Sequence, residues 1–247
     1  MPAAPTHVFH ARRIPAVGTV ALDGTGFSGK LSLLFDRMRS SGSMHWLQSI
    51  AAIAPGLPAA WLVQTPQQPR SLPERSQMRR RTACTILARQ LGCSEAEIAV
   101  AHDEAGRPWP TGPGTSGLHL SLATRAGAVA VALAERPVGI DIERAEPDGA
   151  IPRAMLHGDE WRALQAIAPE HRPLAFARLW AAKEAYVKAL GTGFARPPES
   201  FAVTLLSGAA FRVADPSRST AVQGWLRTIE NGGRETLAAA AIVLDDT

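Results

Sequence analysis

The stretch Leu118–Glu143, "LHLSLATRAGAVAVALAERPVGIDIE", decides how the fold of this chain is read. It holds three β-type runs, LHLSLAT, AVAVALAE and VGIDIE, separated only by RAG and RP, and this spacing predicts a meander of consecutive antiparallel strands. In the third run side chains alternate between faces, so Asp141 and Glu143 project together, about 7 Å apart, while Val138, Ile140 and Ile142 point the other way. Two carboxylates on one face are either a solvated surface or half of a hard-cation site, because magnesium takes oxygen ligands.

Working outward, AAWLVQ from Ala59 reads as a strand, and ERSQMRRRTACTILARQLG as a helix from Glu74 to Leu91 that stops at Gly92. Ser94 with Glu97 is a capping-box pattern. A Gly/Pro-rich loop, GRPWPTGPGTSG, leads into the three runs. Beyond them GDEWRALQAIA and PLAFARLWAAKEAYVKALG read as helices, and SFAVTLL, AFRVAD, GWLRTIE and TLAAAAIVL as strands. The expectation is an α+β protein of two similar halves with small antiparallel sheets, residues 58–136 and 137–247, behind an N-terminal extension, 1–57.

Within that extension TVALDGTGFSGKLSLLF suggests a strand pair. Gly24–Ser32 fits GxxxxGK with Lys30, but Leu31 stands where a phosphate loop needs Ser or Thr. Read as GxGxxG it lacks an acidic residue about 20 positions on. A glycine-rich hairpin turn explains the same letters.

Leu179–Gly193, "LWAAKEAYVKALGTG", poses a second question. At about 100° per residue Phe176, Leu179, Trp180, Tyr186, Val187 and Leu190 share one apolar arc, and Lys183 falls near its middle. The far side carries Ala177, Ala181, Ala185 and Ala189, so another element can approach closely there. A desolvated ammonium is costly unless it meets an anion. Either Lys183 snorkels to an edge, or the arc faces a seam where Lys183, Glu184 and Lys188 meet something anionic. Glu184 would then meet Asp141 and Glu143.

The 247 residues are 46% hydrophobic and 19% charged, a globular composition without bulk disorder. The net charge of +4 suits an acidic partner, a phosphorylated small molecule or nucleic acid. The two cysteines, Cys84 and Cys93, lack metal or redox spacing, and no apolar run approaches a membrane span. A cytoplasmic protein without a membrane or secretory segment is expected.

VGIDIE at 138–143 followed by WAAKEAYVKALGTG at 180–193 resembles the two signatures of the Sfp-type 4′-phosphopantetheinyl transferases, roughly (V/I)G(V/I)D(I/L)E and (F/W)xxKEAxxKxxGxG. RRRTACTILARQLG is similar to the family's basic helix, and EAGRPWP to its GKP loop, with Arg107 at the basic position. The resemblance implies two halves related by a pseudo-twofold, with the cofactor site in the cleft between them. It implies transfer of the phosphopantetheine arm of coenzyme A to a serine of an acidic acyl or peptidyl carrier protein, releasing adenosine 3′,5′-bisphosphate. Asp141, Glu143 and Glu184 would hold Mg²⁺, Glu184 would be the base, and Lys183 and Lys188 would face the phosphates, with Lys188 also catalytic. Arg80 or Arg81, together with Arg107, would lie near the 3′-phosphate or adenine. Thr124 stands where the family has a phosphate-contacting histidine, leaving Arg125 to replace that contact or the affinity to be lower. A monomer would be complete, and neither nucleic acid nor membrane is an expected partner. The alternative is a non-enzymatic binder of nucleic acid or another polyanion built on Arg79–Arg81. That alternative leaves the carboxylates unexplained, since without a metal they repel phosphate.

Overall fold

A computed structural model describes residues 43–65, 69, 71–192, 195–207, 209–231 and 235–245. The Gly24–Ser32 stretch and the strand pair expected around it lie outside the described residues. Within them the protein is α+β, with small, largely antiparallel sheets and few helices.

Helix α1, Leu72–Leu91, starts where the Ser71 side chain accepts a hydrogen bond from the Glu74 amide, and stops at Gly92 in the left-handed region. The Ser94–Glu97 capping box forms as expected, closing a single 3₁₀ turn at Glu95–Glu97. The Gly/Pro-rich loop contributes a strand of its own: β4, Pro108–Thr111, pairs with β3, Ala99–His102.

The first sheet has the order β1-β2-β6-β5, formed by β1 (His45–Leu47), β2 (Ala59–Gln64), β5 (His119–Arg125) and β6 (Ala128–Ala134). Strand β1 runs parallel to β2, so residues 45–47, expected in the N-terminal extension, belong to this sheet. One face buries Trp61, Val129, Val131, Leu120 and Leu122 against Met78, Ala83, Ile86 and Leu87 of α1.

The expected meander stops after two strands. β5 and β6 form a hairpin, but β7, Val138–Arg144, leaves this sheet and pairs with β11, Glu235–Val243. The break falls at Pro137, whose nitrogen has no hydrogen to give a ladder and whose carbonyl instead accepts from Leu244. The second sheet therefore runs β7-β11-β10-β9-β8, with β8 (Ala202–Leu205), β9 (Ala210–Ala214) and β10 (Val222–Asn231). β7 still lies beside β5, where Ser121 Oγ accepts a hydrogen bond from the Ile140 amide at 3.0 Å. Small residues let the two sheets pack face to face: Ala60, Ala130 and Ala132 meet Ile140, Ile142, Ala239 and Ala241.

The outer face of the second sheet is covered by α2, Gly158–Gln165, and α3, Arg172–Leu190. The alanine side of α3 comes down on β7, as its sequence anticipates. At Gly139 a Cβ would lie 1.8 Å from the Ala185 carbonyl oxygen, so only glycine admits the helix at this distance. Of the opposite arc of α3, Leu179 and Tyr186 are buried in the core beside Phe201, while Phe176, Trp180, Val187 and Leu190 are partly buried. Among the described residues no helix is long and apolar enough to cross a membrane.

Candidate functional site

The close contact at Gly139 fixes what the charged residues of α3 can reach. Gly139, Asp141 and Glu143 share the face of β7 that looks toward α3, because their ladder partners Ile242, Ala240 and Ala238 alternate in the same register and Ala240 and Ile242 pack under the helix. Lys188 Nζ donates to Asp141 Oδ1 at 2.6 Å, to the Ile140 carbonyl at 3.2 Å and to the Leu122 carbonyl at 3.4 Å. One ammonium thus ties α3 to both sheets where β5 and β7 run side by side.

Asp141 is buried, and its second oxygen, Oδ2, has no hydrogen-bond partner among the described residues. Burial and the neighbouring Asp141 raise the pKa of Glu184 above the usual carboxylate range, with Lys188 opposing. Glu143 is pushed up to about 7 by burial, then by Asp141 and Glu184, against the pull of Arg125 and Lys188. Its carboxylate is held by Arg125, Nε to Oε2 at 3.2 Å. These three carboxylates therefore feel one another's charge. Even so, no three acidic, histidine or cysteine side chains among the described residues are gathered closely enough to hold a metal ion.

The donors nevertheless suit a hard divalent cation. All are carboxylate oxygens, one is buried without a partner among the described residues, and burial, then the neighbouring carboxylates, raises the pKa of Glu143 and of Glu184. Glu184 makes no hydrogen bond or ion pair to a described residue.

On the other side of Lys188 lies a cavity of about 210 Å³ lined by Arg79, Arg80, His102, Arg107, Lys188 and Gly191, among others. It is strongly basic. Arg107 reaches over the C-terminus of α3, its Nη2 3.5 Å from the Ala189 carbonyl, where the helix dipole favours a cation. Gly191 is left-handed at φ 71°, and a Cβ there would lie 2.8 Å from Arg107 Nη1. Arg79 is half-buried, and burial with the charges of Arg75 and Arg80 lowers its pKa, opposed by Asp141. It is thus electrostatically coupled to the acidic group across the seam.

Of the residues expected from the sequence, Lys188 meets Asp141, whereas Glu143 and Glu184 lie near enough to feel the charge of Asp141 without gathering around it, and Arg80 and Arg107 line the neighbouring cavity. Arg81 does not line it: it is exposed on another side of α1, and Arg79 takes its place. Helical spacing carries the signal that was missed, because Arg79 precedes the buried Ala83 by four residues and the buried Thr82 by three. Thr124 Oγ1 is buried without a partner among the described residues, and Thr124 lines a separate opening with Arg75, Arg125 and Arg144.

Lys183 requires a correction. It faces neither a phosphate nor Asp141: its side chain is 1% exposed, and Nζ donates to Glu160 Oε1 at 2.5 Å and to the Phe201 carbonyl at 3.1 Å. Glu160 of α2 also accepts from the Val203 and His157 amides, both at 2.8 Å. At Lys183 the arc of α3 faces the core, and the anion there is a carboxylate, while Phe176 and Trp180 of the same arc line an opening beside Arg125 and Glu143.

Residues 137–241 match the model of the 4′-phosphopantetheinyl transferase superfamily. The chain is 30% identical over 122 residues to a 4′-phosphopantetheinyl transferase of Bacillus subtilis, covering 49% of this chain and 54% of that protein. It is 28% identical over 122 residues to 4′-phosphopantetheinyl transferase Sfp of Bacillus subtilis (strain 168), covering 49% and 54%. The chain thus spans about half the length of the curated relatives it matches. A solved structure, Thermotoga maritima holo-[acyl-carrier-protein] synthase, is 19% identical and covers 44% of this chain and 64% of that one, at a TM-score of 0.30. The segment 137–241, which carries Asp141, Glu143, Glu184 and Lys188, is thus the part of the chain that matches the 4′-phosphopantetheinyl transferase superfamily model, and the chain is similar to Sfp-type 4′-phosphopantetheinyl transferases.

Proposed function

We propose that this protein transfers the 4′-phosphopantetheine arm of coenzyme A to a serine of an acyl or peptidyl carrier protein. One observation carries the reading: Lys188 lines the basic cavity and at the same time holds Asp141, so a polyphosphate seated among Arg79, Arg80 and Arg107 reaches the carboxylate group at that lysine. The two halves, 58–136 and 137–247, are taken as pseudo-twofold related, with the cofactor in the cleft between them. Both halves lie in one chain, so a monomer suffices.

In this reading the serine hydroxyl attacks the phosphorus bearing the pantetheine arm. The new P–O bond forms as the anhydride bond to adenosine 3′,5′-bisphosphate breaks, and the serine proton passes to a base. Glu184 fits the base: it makes no competing hydrogen bond to a described residue, and its raised pKa brings its basicity nearer to neutral pH. Lys188 would balance charge on the leaving phosphate. Arg79, Arg80 and Arg107 would hold the nucleotide end, since arginine stays charged even where burial disfavours it. Asp141, Glu143 and Glu184 would hold Mg²⁺, which when bound neutralises pyrophosphate charge. A polyanion binder is disfavoured, because the cavity adjoins acids that repel phosphate.

The test is to incubate the protein with coenzyme A, Mg²⁺ and several apo carrier proteins and to weigh the carriers intact. A gain of one phosphopantetheine on at least one carrier supports the reading. No gain on any carrier, with the protein folded, rejects it. Carriers are acidic, so raising ionic strength should slow the transfer to the basic protein.

A further inference from the structure

The carboxylate group is not gathered, and the structure gives a specific reason. Glu143 is engaged by Arg125, which comes from β5 in the other sheet. That guanidinium makes two contacts: Nε lies 3.2 Å from Glu143 Oε2, and Nη2 lies 3.3 Å from Glu146 Oε1. Its side chain is 44% exposed, whereas that of Glu143 is 19% exposed. Arg125 can therefore let go of Glu143 without losing its charge partner, because Glu146 remains. Lys188 differs, since it uses only Oδ1 of Asp141 and leaves Oδ2 open, so it need not move for Asp141 to take a second cation.

We propose that Arg125 is a resident counter-ion that competes with a divalent cation for Glu143, keeping the carboxylate group open until it shifts fully onto Glu146. Cation binding and release of the guanidinium are then one exchange. The freed Arg125 gains the ability to meet an anion next to the site, which links loading of the carboxylates to capture of a polyphosphate. The inference rests on the reading of Asp141, Glu143 and Glu184 as a cation site, and concerns how that site is regulated.

The experiment is a titration of the full-length protein with Mn²⁺ alone, without coenzyme A, followed by the electron paramagnetic resonance signal of free Mn²⁺. Three proteins are compared: the unaltered chain, Arg125→Gln and Arg144→Gln. Arg144 is the control, because it pairs with Glu146 and Glu235 and leaves Glu143 untouched while removing the same charge from the same neighbourhood. An exposed ion pair of this kind is worth little, so Arg125→Gln should tighten Mn²⁺ binding by roughly 2- to 5-fold. Arg144→Gln should tighten it by clearly less. Equal effects of the two variants would overturn the proposal, as a general charge effect would then suffice. Unchanged or weaker binding in Arg125→Gln would overturn it as well. If the unaltered protein binds no Mn²⁺, the cation-site reading itself fails and the proposal falls with it.

Discussion

Replacing Lys183 by methionine separates a structural lysine from a functional one. The ammonium is buried with the carboxylate of Glu160 at 2.5 Å and lies 4.3 Å from the centre of the Phe201 ring. Removing it leaves Glu160, whose side chain is 0% exposed, with two backbone amides and no counter-charge. Breaking one side of a buried ion pair costs about 3 to 5 kcal/mol. For a chain of this size each kcal/mol shifts the melting temperature by about 2 to 4 °C, so Lys183→Met should melt ~6 to 20 °C lower. The double variant Lys183→Met, Glu160→Gln removes the stranded charge and should recover part of that loss, since the neutral amide oxygen still accepts one of the two backbone hydrogens. Calorimetry or circular dichroism reads these shifts. Transfer assayed well below the melting point should remain within a few fold of normal. A variant that melts normally but has lost turnover would refute the reasoning and return Lys183 to the phosphate site.

Three other outcomes follow from the same geometry. Gly139→Ala places a methyl against the Ala185 carbonyl and should cost about 3 kcal/mol or more, or abolish soluble expression, as read by urea titration. The raised pKa of Glu143 means its contribution to stability is complete below about 4.5 and is lost as pH rises through about 7. The melting temperature should fall across that interval, by the equivalent of about 3 kcal/mol at most, and Mg²⁺ should narrow the fall; a rise with pH would show the sign to be wrong. Arg79→Ala should raise KM for coenzyme A at least tenfold and Arg81→Ala should not, whereas equal effects would mean that the cavity does not hold the nucleotide.

What the sequence discloses here is local. The stop of α1 at Gly92, the Ser94–Glu97 box, the alternating faces of β7 and the small-residue side of α3 all depend on neighbours a few positions away, and each appears in the structure. Long-range pairings are different. The LHLSLAT, AVAVALAE and VGIDIE runs look equivalent as strands, but β7 finds its ladder partner in β11, almost a hundred positions later, and only Pro137 hints at the departure. An apolar arc with a lysine in its middle reads the same whether it faces a cleft or a core. Glu160, the carboxylate that decides between them, lies on another helix, where its own capping-box role hides it. Three consecutive arginines say nothing of which one turns inward until the face of α1 is fixed by Thr82, Ala83 and Ile86.

The central claim is that Glu184, Asp141 and Lys188 form a phosphoryl-transfer site on coenzyme A. Its most direct test is one reaction weighed at both ends: the mass of an apo carrier and the adenosine 3′,5′-bisphosphate released, compared between the unaltered protein and Glu184→Gln. The account predicts equal amounts of holo-carrier and bisphosphate from the unaltered protein, and at least a 100-fold slower yield of both from a Glu184→Gln variant with an unchanged melting temperature. Near-normal turnover by Glu184→Gln at saturating Mg²⁺ would contradict it.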